Sequence, residues 1–583
     1  MPRRSRRSPH AVVEEAQPLS RSLLWRLQRN FYDRAGVQAW TEGIVPHYIT
    51  SNPWIADAYA RVVLGWLRDH AAAGAIDPRQ PVHLVELGCG PGRFGYLFCQ
   101  RLLDLLGRSS LSHLRVRYVL TDFTESNLDV LRDHPSLRPL AAAGVLDLAR
   151  YDAGSDLALR LQHSGEVLAP GTLANPLAVI ANYVFDALPQ DCFFLREDGE
   201  IEQGLVALVS PQPEPIRNDP ELLDRLEIHW SRRPVEGAPY GEPDLDRLLA
   251  SYREQLSGTA LLFPVGAFRC LRNLVHLSGG RLLLLSADKG YCDEAMLYGR
   301  EEPGFAIHGS LSMMVNYHAV GQFLRQAGGE LLHATPISTG LQVVAGLLGV
   351  PGGGAETRLA FDDAVERRNP DDFFSLKIAV ESGYPGMTLP QLLAWLRLSG
   401  WDANVFLGCI PMLVALAESE STSATEREDL RRAVLRVYET YFPIREARDL
   451  AFHAGALLCQ LGDYASALPC FERSLALYGP NSATVYNLGV CHFSLGQLDP
   501  AEARVEEALA AEPDLADAVA LKSEIAAARV GDLQIPLDDC ESVEEEIAQA
   551  HDGLPIHLVE EDRRTKKEPP EKESGGFGLK RLQ

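Results

Sequence analysis

The sequence predicts an open, mostly parallel α/β sheet of Rossmann type over its first 350 residues, followed by an all-α array of helical repeats. Three observations predict it. The run Val85-Glu86-Leu87-Gly88-Cys89-Gly90-Pro91-Gly92 is an apolar strand that ends in a carboxylate and passes directly into a glycine turn and a helical pattern. Further short apolar runs ending in Asp or Asn recur downstream, as in α/β proteins built from βαβ units. After residue 450, small residues return at a fixed interval.

Residues 82–87 have the length and composition of a strand buried on both faces, and Phe94-Gly95-Tyr96-Leu97-Phe98 opens the helix packed on it. Glycine at 88, 90 and 92 lets the backbone turn tightly and approach a ligand. Parsed as Gly90-x-Gly92-x-x-Gly95, the same residues form the dinucleotide fingerprint, so the glycines alone do not separate a nicotinamide cofactor from S-adenosylmethionine. Glu86 does. A carboxylate two residues before the first glycine repels a pyrophosphate and attracts a sulfonium and an ammonium.

The second strand, Tyr118-Val119-Leu120-Thr121-Asp122, offers Asp122 to a pair of ribose hydroxyls, somewhat further along than the roughly 20 residues of a dinucleotide site. Asp122 could equally cap the helix that begins near Thr124. A third strand at 144–152 brings Asp152 to the exocyclic amine of an adenine. The fourth, residues 176–182, ends at Asn182 and runs into Tyr183-Val184-Phe185-Asp186-Ala187-Leu188-Pro189. Ligands of open parallel sheets sit at the carboxyl ends of the strands. The expected cofactor contacts are therefore Glu86, Gly88, Gly90, Gly92, Asp122, Asp152 and Asn182, with Asn182 and Asp186 as catalytic candidates. Asp186 is the carboxylate placed to take a proton from an amine or guanidinium acceptor. An insertion at about 190–280 holds strands at 191–195 and 201–209 and a helix at 243–256. A fifth strand at 281–286 and a closing hairpin at 329–337 and 341–348 complete a seven-stranded sheet.

The order of these motifs resembles the class I methyltransferases. Asn182-Tyr-Val-Phe-Asp186-Ala-Leu-Pro189 is similar to the Asn-Glu-Phe-Phe-Asp-Ala-Leu-Pro run of the MidA-like family, which includes the mitochondrial complex I assembly arginine methyltransferase. Tyr48-Ile49-Thr50-Ser51 resembles that family's Tyr-x-Thr-Ser segment, and residues 308–317 resemble its late Gly-x-x-Asp-x-Thr-x-x-Val-Asp-Phe segment. The likeness spans roughly residues 20–350. It implies a methyltransferase that uses S-adenosylmethionine, with a protein side chain as acceptor and arginine as the family precedent. The chain departs from the pattern at the acceptor side: the Glu after Asn is Tyr183, and the two late aspartates are Ser310 and Asn316. A small-molecule or glycan acceptor, or a cofactor-binding assembly protein without turnover, are the alternatives these departures leave open.

Gly455, Gly462, Ala467 and Ser474 return as Gly489, Gly496, Ala501 and Ala508, a period of 34 residues, with Pro513 at the repeat end. This is the tetratricopeptide spacing. Two clear repeats need neighbours, supplied by helical patterns at 389–398, 405–418 and 426–441 before them and a capping helix at 517–529 after. Repeats of this kind present a concave face, and Phe452, Tyr486, Val490 and Phe493 are the residues expected on it to meet a protein or peptide partner. The expected organisation is a tail at 1–20, a methyltransferase domain at 21–350, a linker at 351–360 on Pro351-Gly-Gly-Gly, a helical region at 361–446, repeats at 447–530 and a polar tail at 531–583.

Composition narrows the rest. A net charge of −24 over 583 residues argues against nucleic acid or an anionic membrane as partner. Ten cysteines without a Cys-x-x-Cys pair suggest neither a metal site nor a disulfide framework, and hence a reducing cytoplasm. No apolar run reaches the length of a membrane span.

Overall fold

The computed structural model describes residues 11–335 and 340–532. The tails expected at 1–10 and 533–583 and the strand end expected at 336–337 lie outside the described residues. The chain divides into two compact units: the first runs to Tyr384 and also takes in Phe442–Ala447, and the second comprises Pro385–Tyr441 and the chain from Arg448 onward.

In chain order the first unit contains β1 (Ala11–Pro18), α1 (Leu23–Ala35), α2 (Pro53–Ala72), β2 (Val82–Glu86), α3 (Arg93–Gly107), β3 (Val116–Asp122), α4 (Glu125–Arg132), β4 (Leu146–Arg150) and β5 (Leu177–Asn182). It continues through β6 (Asp191–Leu195), β7 (Ile201–Ser210), β8 (Glu227–Pro234), α5 (Pro243–Gln255), β9 (Thr259–Phe263), α6 (Val265–Leu277) and β10 (Leu282–Asp288). α7 (Tyr317–Gln326), β11 (Glu330–His333), β12 (Gln342–Leu348), α8 (Ala355–Phe361) and α9 (Pro370–Glu381) close it.

Seven of these strands form one sheet in the order β11-β12-β10-β5-β2-β3-β4. β2 runs parallel to β3 on one side and to β5 on the other, with Val85 opposite Val119 and Val179. β12 is antiparallel to both β10 and β11. This is the strand order of the class I methyltransferase fold, and its direction of winding reverses between β2 and β5, where such sheets open a ligand crevice.

The strand residues alternate between two cores, as the pleat requires. Leu84, Leu120 and Ile180 pack with Tyr59, Trp66 and Phe98 of α2 and α3. Val85, Val119 and Val179 pack on the opposite face with Tyr252, Phe268 and Phe323. Coverage on both faces is why β2 and β5 read as continuous apolar runs.

The insertion builds a second sheet, ordered β1-β7-β6-β9, with β8 on the other edge of β7. Residues 11–20 correct the expectation of a tail to residue 20. β1 pairs antiparallel with β7 from Ala11↔Ser210 to Pro18↔Leu205, and Val13 and Leu19 are buried. Its charges disguise it. Glu14 accepts hydrogen bonds from Ser22 Oγ (2.6 Å) and the Leu23 amide (2.7 Å), so this carboxylate satisfies donors at the start of α1.

The residues from 351 onward also depart from a simple linker. Pro351–Gly353 is a 3-10 turn, and α8 packs on α2, with the Asp69 carboxylate accepting from the amides of Glu356 and Thr357. Gly65 makes that approach possible, since a Cβ there would lie 2.5 Å from the Glu356 carbonyl. The expected helical region at 361–446 is thus shared out: α8 and α9 belong to the first unit and the chain from Pro385 to Tyr441 to the second.

The second unit comprises α10 (Leu389–Leu398), α11 (Ala403–Glu418), α12 (Ala424–Thr440), α13 (Leu450–Gln460), α14 (Tyr464–Tyr478), α15 (Ser482–Ser494), α16 (Leu498–Ala511) and α17 (Ala516–Asp532). Its period has a packing cause: a Cβ at Gly455 would sit 3.0 Å from the Phe471 ring, and one at the equivalent Gly489 3.0 Å from Val505. The four residues expected on an open concave face are buried instead. Tyr486, Val490 and Phe493 share an apolar cluster with Val505 of α16 and Leu521 and Ile525 of α17, and Phe452 packs edge-on against Phe471. With α17 covering α15, these side chains serve the array's own core. No helix among the described residues is long and apolar enough to cross a membrane.

Candidate active site

A crevice opens at the carboxyl ends of β2, β3, β4 and β5, as the topology requires. Its sheet side is formed by Glu86, Gly88, Gly90, Asp122, Asp152 and Asn182. Its roof is formed by Arg29 and Tyr32 of α1, then Trp40, His47 and Ser51. The glycine loop is tied to both neighbouring strands, through Leu87 N to Ile180 O (2.8 Å) and Cys89 N to Thr121 O (2.8 Å). Gly90 holds φ +51°, and a Cβ there would lie 3.0 Å from the Trp40 indole. Gly90→Val forces a β-branched residue into this left-handed step and against Trp40, so it is expected to lower the thermal midpoint and to lose ligand binding in the crevice by calorimetry; wild-type binding in the variant under conditions where it is still folded would refute the assignment of this loop.

Glu86 is 5% exposed and accepts a hydrogen bond from the Tyr118 hydroxyl at 2.8 Å. Burial pushes its pKa from 4.5 up to about 8, against the pull of that hydrogen bond. A buried acid of this kind gains its charge when a cation arrives beside it. Asp122 does two things at once: it lines the crevice and accepts from Thr124 N and Oγ1 (both 2.9 Å) and Asn127 Nδ2 (3.1 Å) at the start of α4. Burial raises its pKa too, with those hydrogen bonds opposing.

Two buried polar atoms of crevice-lining residues, Asn127 Oδ1 and Asn182 Nδ2, have no hydrogen-bond partner among the described residues. An unmet buried donor or acceptor costs about 1–3 kcal/mol, so the pair suits a ligand that supplies the missing partners. Asn182 is oriented by Tyr59, whose hydroxyl donates to Oδ1 at 2.8 Å. The next residue, Tyr183, sits at φ +52°, a strained conformation for a non-glycine residue and one that clusters at functional sites.

Asp152 reaches the crevice, but Arg29 holds its carboxylate at 2.9 Å and the Gly154 amide donates to it at 3.0 Å. Burial raises its pKa, and these partners outweigh burial and leave it lowered. The Arg29 guanidinium also lies over the Phe123 ring, 4.4 Å from its centroid. Of this roof, sequence reasoning singled out only the Tyr48–Ser51 segment, and it missed Arg29, Tyr32 and Trp40. The signal was present in the aromatic spacing of Phe31, Tyr32 and Trp40 on an amphipathic N-terminal stretch, where Tyr32 and Trp40 stack at 5.8 Å.

Asp186 departs from its expected place. It lies in the turn Phe185–Ala187, is buried, and is not among the residues lining the crevice. The left-handed step at Tyr183 turns the chain so that Tyr183, Val184, Ala187 and Leu188 face the crevice and Asp186 faces inward. There it neighbours Asp288, at the end of β10. Burial raises both carboxyls, Asp186 to about 7 and Asp288 well above the usual carboxylate range, each interacting with the other. Asp288 Oδ2 accepts from the Phe185 amide (3.2 Å) and the Tyr317 hydroxyl (3.4 Å). Of the late segment, Asn316 caps α7 through the Ala319 amide and Ser310 accepts from Tyr32 at 3.2 Å.

The family described as Tetratricopeptide repeat matches residues 458–525. No curated protein matches the chain. Among solved structures, an uncharacterized ACR, COG1565 superfamily protein from Burkholderia thailandensis is similar at 14% identity and a TM-score of 0.36, over 59% of this chain and 90% of that one. A COG1565 superfamily member from the same organism, bound to S-adenosyl-homocysteine, is similar at 15% identity and a TM-score of 0.37, over the same 59% and 90%. YrrB, a TPR protein with an unusual peptide-binding site, is similar at 19% identity and a TM-score of 0.22, over 33% of this chain and 92% of that one.

Proposed function

We propose that this chain is an S-adenosylmethionine-dependent methyltransferase acting on a protein side chain. The observation that carries the reading is Glu86: a buried carboxylate, lining a crevice at the switch point of a class I methyltransferase sheet, immediately before a glycine loop. Beside a sulfonium or ammonium this acid can ionise and balance the positive charge, whereas a pyrophosphate would gain nothing from it. The bound cofactor supplies a methyl group on a sulfonium, an intrinsically good leaving group.

This chain's residues do the rest. Glu86 balances the positive charge, and the loop at Gly88 and Gly90 lets the ligand approach the backbone; Gly92, expected to touch the cofactor, does not line the crevice and instead makes room for Leu131, where a Cβ would lie 2.6 Å away. Asp122 and the open Oδ1 of Asn127 meet hydroxyls, Asp152 with Arg29 and Phe123 closes the adenine end, and Asn182 Nδ2 orients the acceptor beside Tyr183. The roof of Tyr32 and Trp40 keeps water out, so alignment in a dry pocket provides most of the rate. Asp186 shapes this wall from behind rather than touching the acceptor. The repeats favour a protein as the acceptor's source, since such arrays bind extended chains.

The test is transfer of label from methyl-labelled S-adenosylmethionine in a cell extract supplemented with the purified protein. Label is expected in the protein fraction, and to be lost with Gly90→Val. Label confined to small molecules would move the acceptor out of the protein class, and no transfer from a protein that binds the cofactor would remove the catalytic reading.

A further inference from the structure

The segment Phe442–Ala447 belongs to the first unit although the chain on both sides of it belongs to the second. It is docked by specific contacts. The Phe442 ring stacks on His134 at 3.9 Å and 17°, and packs on Tyr96 at 5.0 Å. His134 Nε2 donates to the Pro443 carbonyl at 2.8 Å, and its Nδ1 accepts from the Ser136 amide at 3.2 Å. Arg93 donates through Nε and Nη2 to the Phe442 carbonyl at 3.2 and 3.1 Å, and Nη2 pairs with Glu446. Glu446 Oε2 in turn accepts from the Ile444 amide at 3.1 Å, which holds the carboxylate in place.

Arg93 is an unusual residue to find here. It is the first residue of α3, directly after the glycine loop, is 8% exposed, and lines the crevice. A helix N-terminus already carries partial positive charge, and a guanidinium added to it disfavours any cation nearby. Its field is felt on the roof, where burial first and Arg93 second lower the pKa of His47 to about 4. A crevice meant for a sulfonium and an ammonium would be spoiled by this charge unless something neutralised it.

We infer that Glu446, carried on the returning segment, is the counter-ion that makes the crevice compatible with a cationic cofactor, acting on the ligand through Arg93. The inference rests on the S-adenosylmethionine reading above. It places part of the cofactor's charge selection some 350 residues beyond the glycine loop, on a segment flanked by α12 and α13, whose sequence carries no cofactor motif.

The test compares binding of S-adenosylmethionine with that of S-adenosylhomocysteine, which lacks the sulfonium charge, in full-length wild type, Glu446→Gln, Arg93→Met and the double variant. One uncompensated charge across a pocket wall at an effective dielectric of about 20 is worth roughly a tenfold change in binding. Glu446→Gln is expected to lower the preference for S-adenosylmethionine about tenfold, Arg93→Met to shift it the opposite way, and the double variant to restore the wild-type ratio. Should Glu446→Gln fail to fold, the Arg93→Met shift still decides. Equal loss of both ligands, or an unchanged ratio, would assign Glu446 a merely structural role and overturn the inference while leaving the cofactor reading intact. Wild type that binds neither ligand would overturn both.

Discussion

Glu86→Gln is expected to cost about a hundredfold in affinity for S-adenosylmethionine while making the ligand-free protein more stable above neutral pH. The two effects have one cause. The Glu86 carboxyl is held at about 8 by burial, so in the free protein at pH 7 it carries a proton that the unfolded chain has already lost. A raised folded pKa gives stability that is complete below the unfolded value, near 4.5, and is lost as pH rises through about 8. Gln keeps the shape and an acceptor for the Tyr118 hydroxyl without that proton. Its gain at pH 8.5 should be of the order of 5 kcal/mol, seen as a higher thermal midpoint and a flatter pH dependence.

The cofactor reverses the balance. Its positive charge stabilises the ionised carboxylate, so binding releases the proton. Affinity should climb up to about tenfold per pH unit from pH 6 and level off near pH 8. Calorimetry across this range, in buffers of different ionisation enthalpy, would count the proton. A wild-type affinity independent of pH, or unchanged in Glu86→Gln, would remove Glu86 from the cation's side of the crevice.

The succession of strands and the carboxylates at or just past the ends of β2, β3 and β4 were legible because parallel strands buried on both faces are written as continuous apolar runs, broken only where the ligand crevice begins. The 34-residue period was legible because Gly455 and Gly489 each admit a ring or branched side chain where a Cβ has no room. What the sequence hid is long-range. Arg29 reaches Asp152 across 123 residues and Arg93 reaches Glu446 across 353, and no local pattern announces either pairing. β1 was hidden because Glu14, a charge in a short strand, reads as solvated tail when its partners are unknown. The buried Tyr486 and Phe493 were read outward because helical spacing defines a face without saying which neighbour covers it, and α17 does. Asp186 was the most instructive. Its motif marks it, but the direction of its side chain depends on Tyr183 at φ +52°, which sequence spacing does not show.

That geometry leads to the second large effect. Asp186 and Asp288 are both buried carboxyls raised by desolvation and by one another, so one ionises only at the expense of the other. With folded pKa values above the unfolded ones, the pair favours the folded state at acid pH and progressively less as pH rises through about 7, where Asp186 titrates. Asp288→Asn removes one acid while keeping an oxygen for the Phe185 amide and the Tyr317 hydroxyl, and is expected to raise the thermal midpoint at pH 8 and flatten its pH dependence. Asp288→Ala leaves the Phe185 amide without its partner and is expected to destabilise by about 3 kcal/mol. It also frees the turn that holds Tyr183 and Asn182 in the crevice wall, so cofactor affinity should fall with stability. Asp186→Asn should resemble Asp288→Asn in stability and in methyl transfer alike, because either change removes the shared acid. If instead Asp186→Asn alone abolished transfer in a folded, cofactor-binding protein, its carboxylate would have to reach the acceptor, and the inward turn at Tyr183 would have to open during turnover.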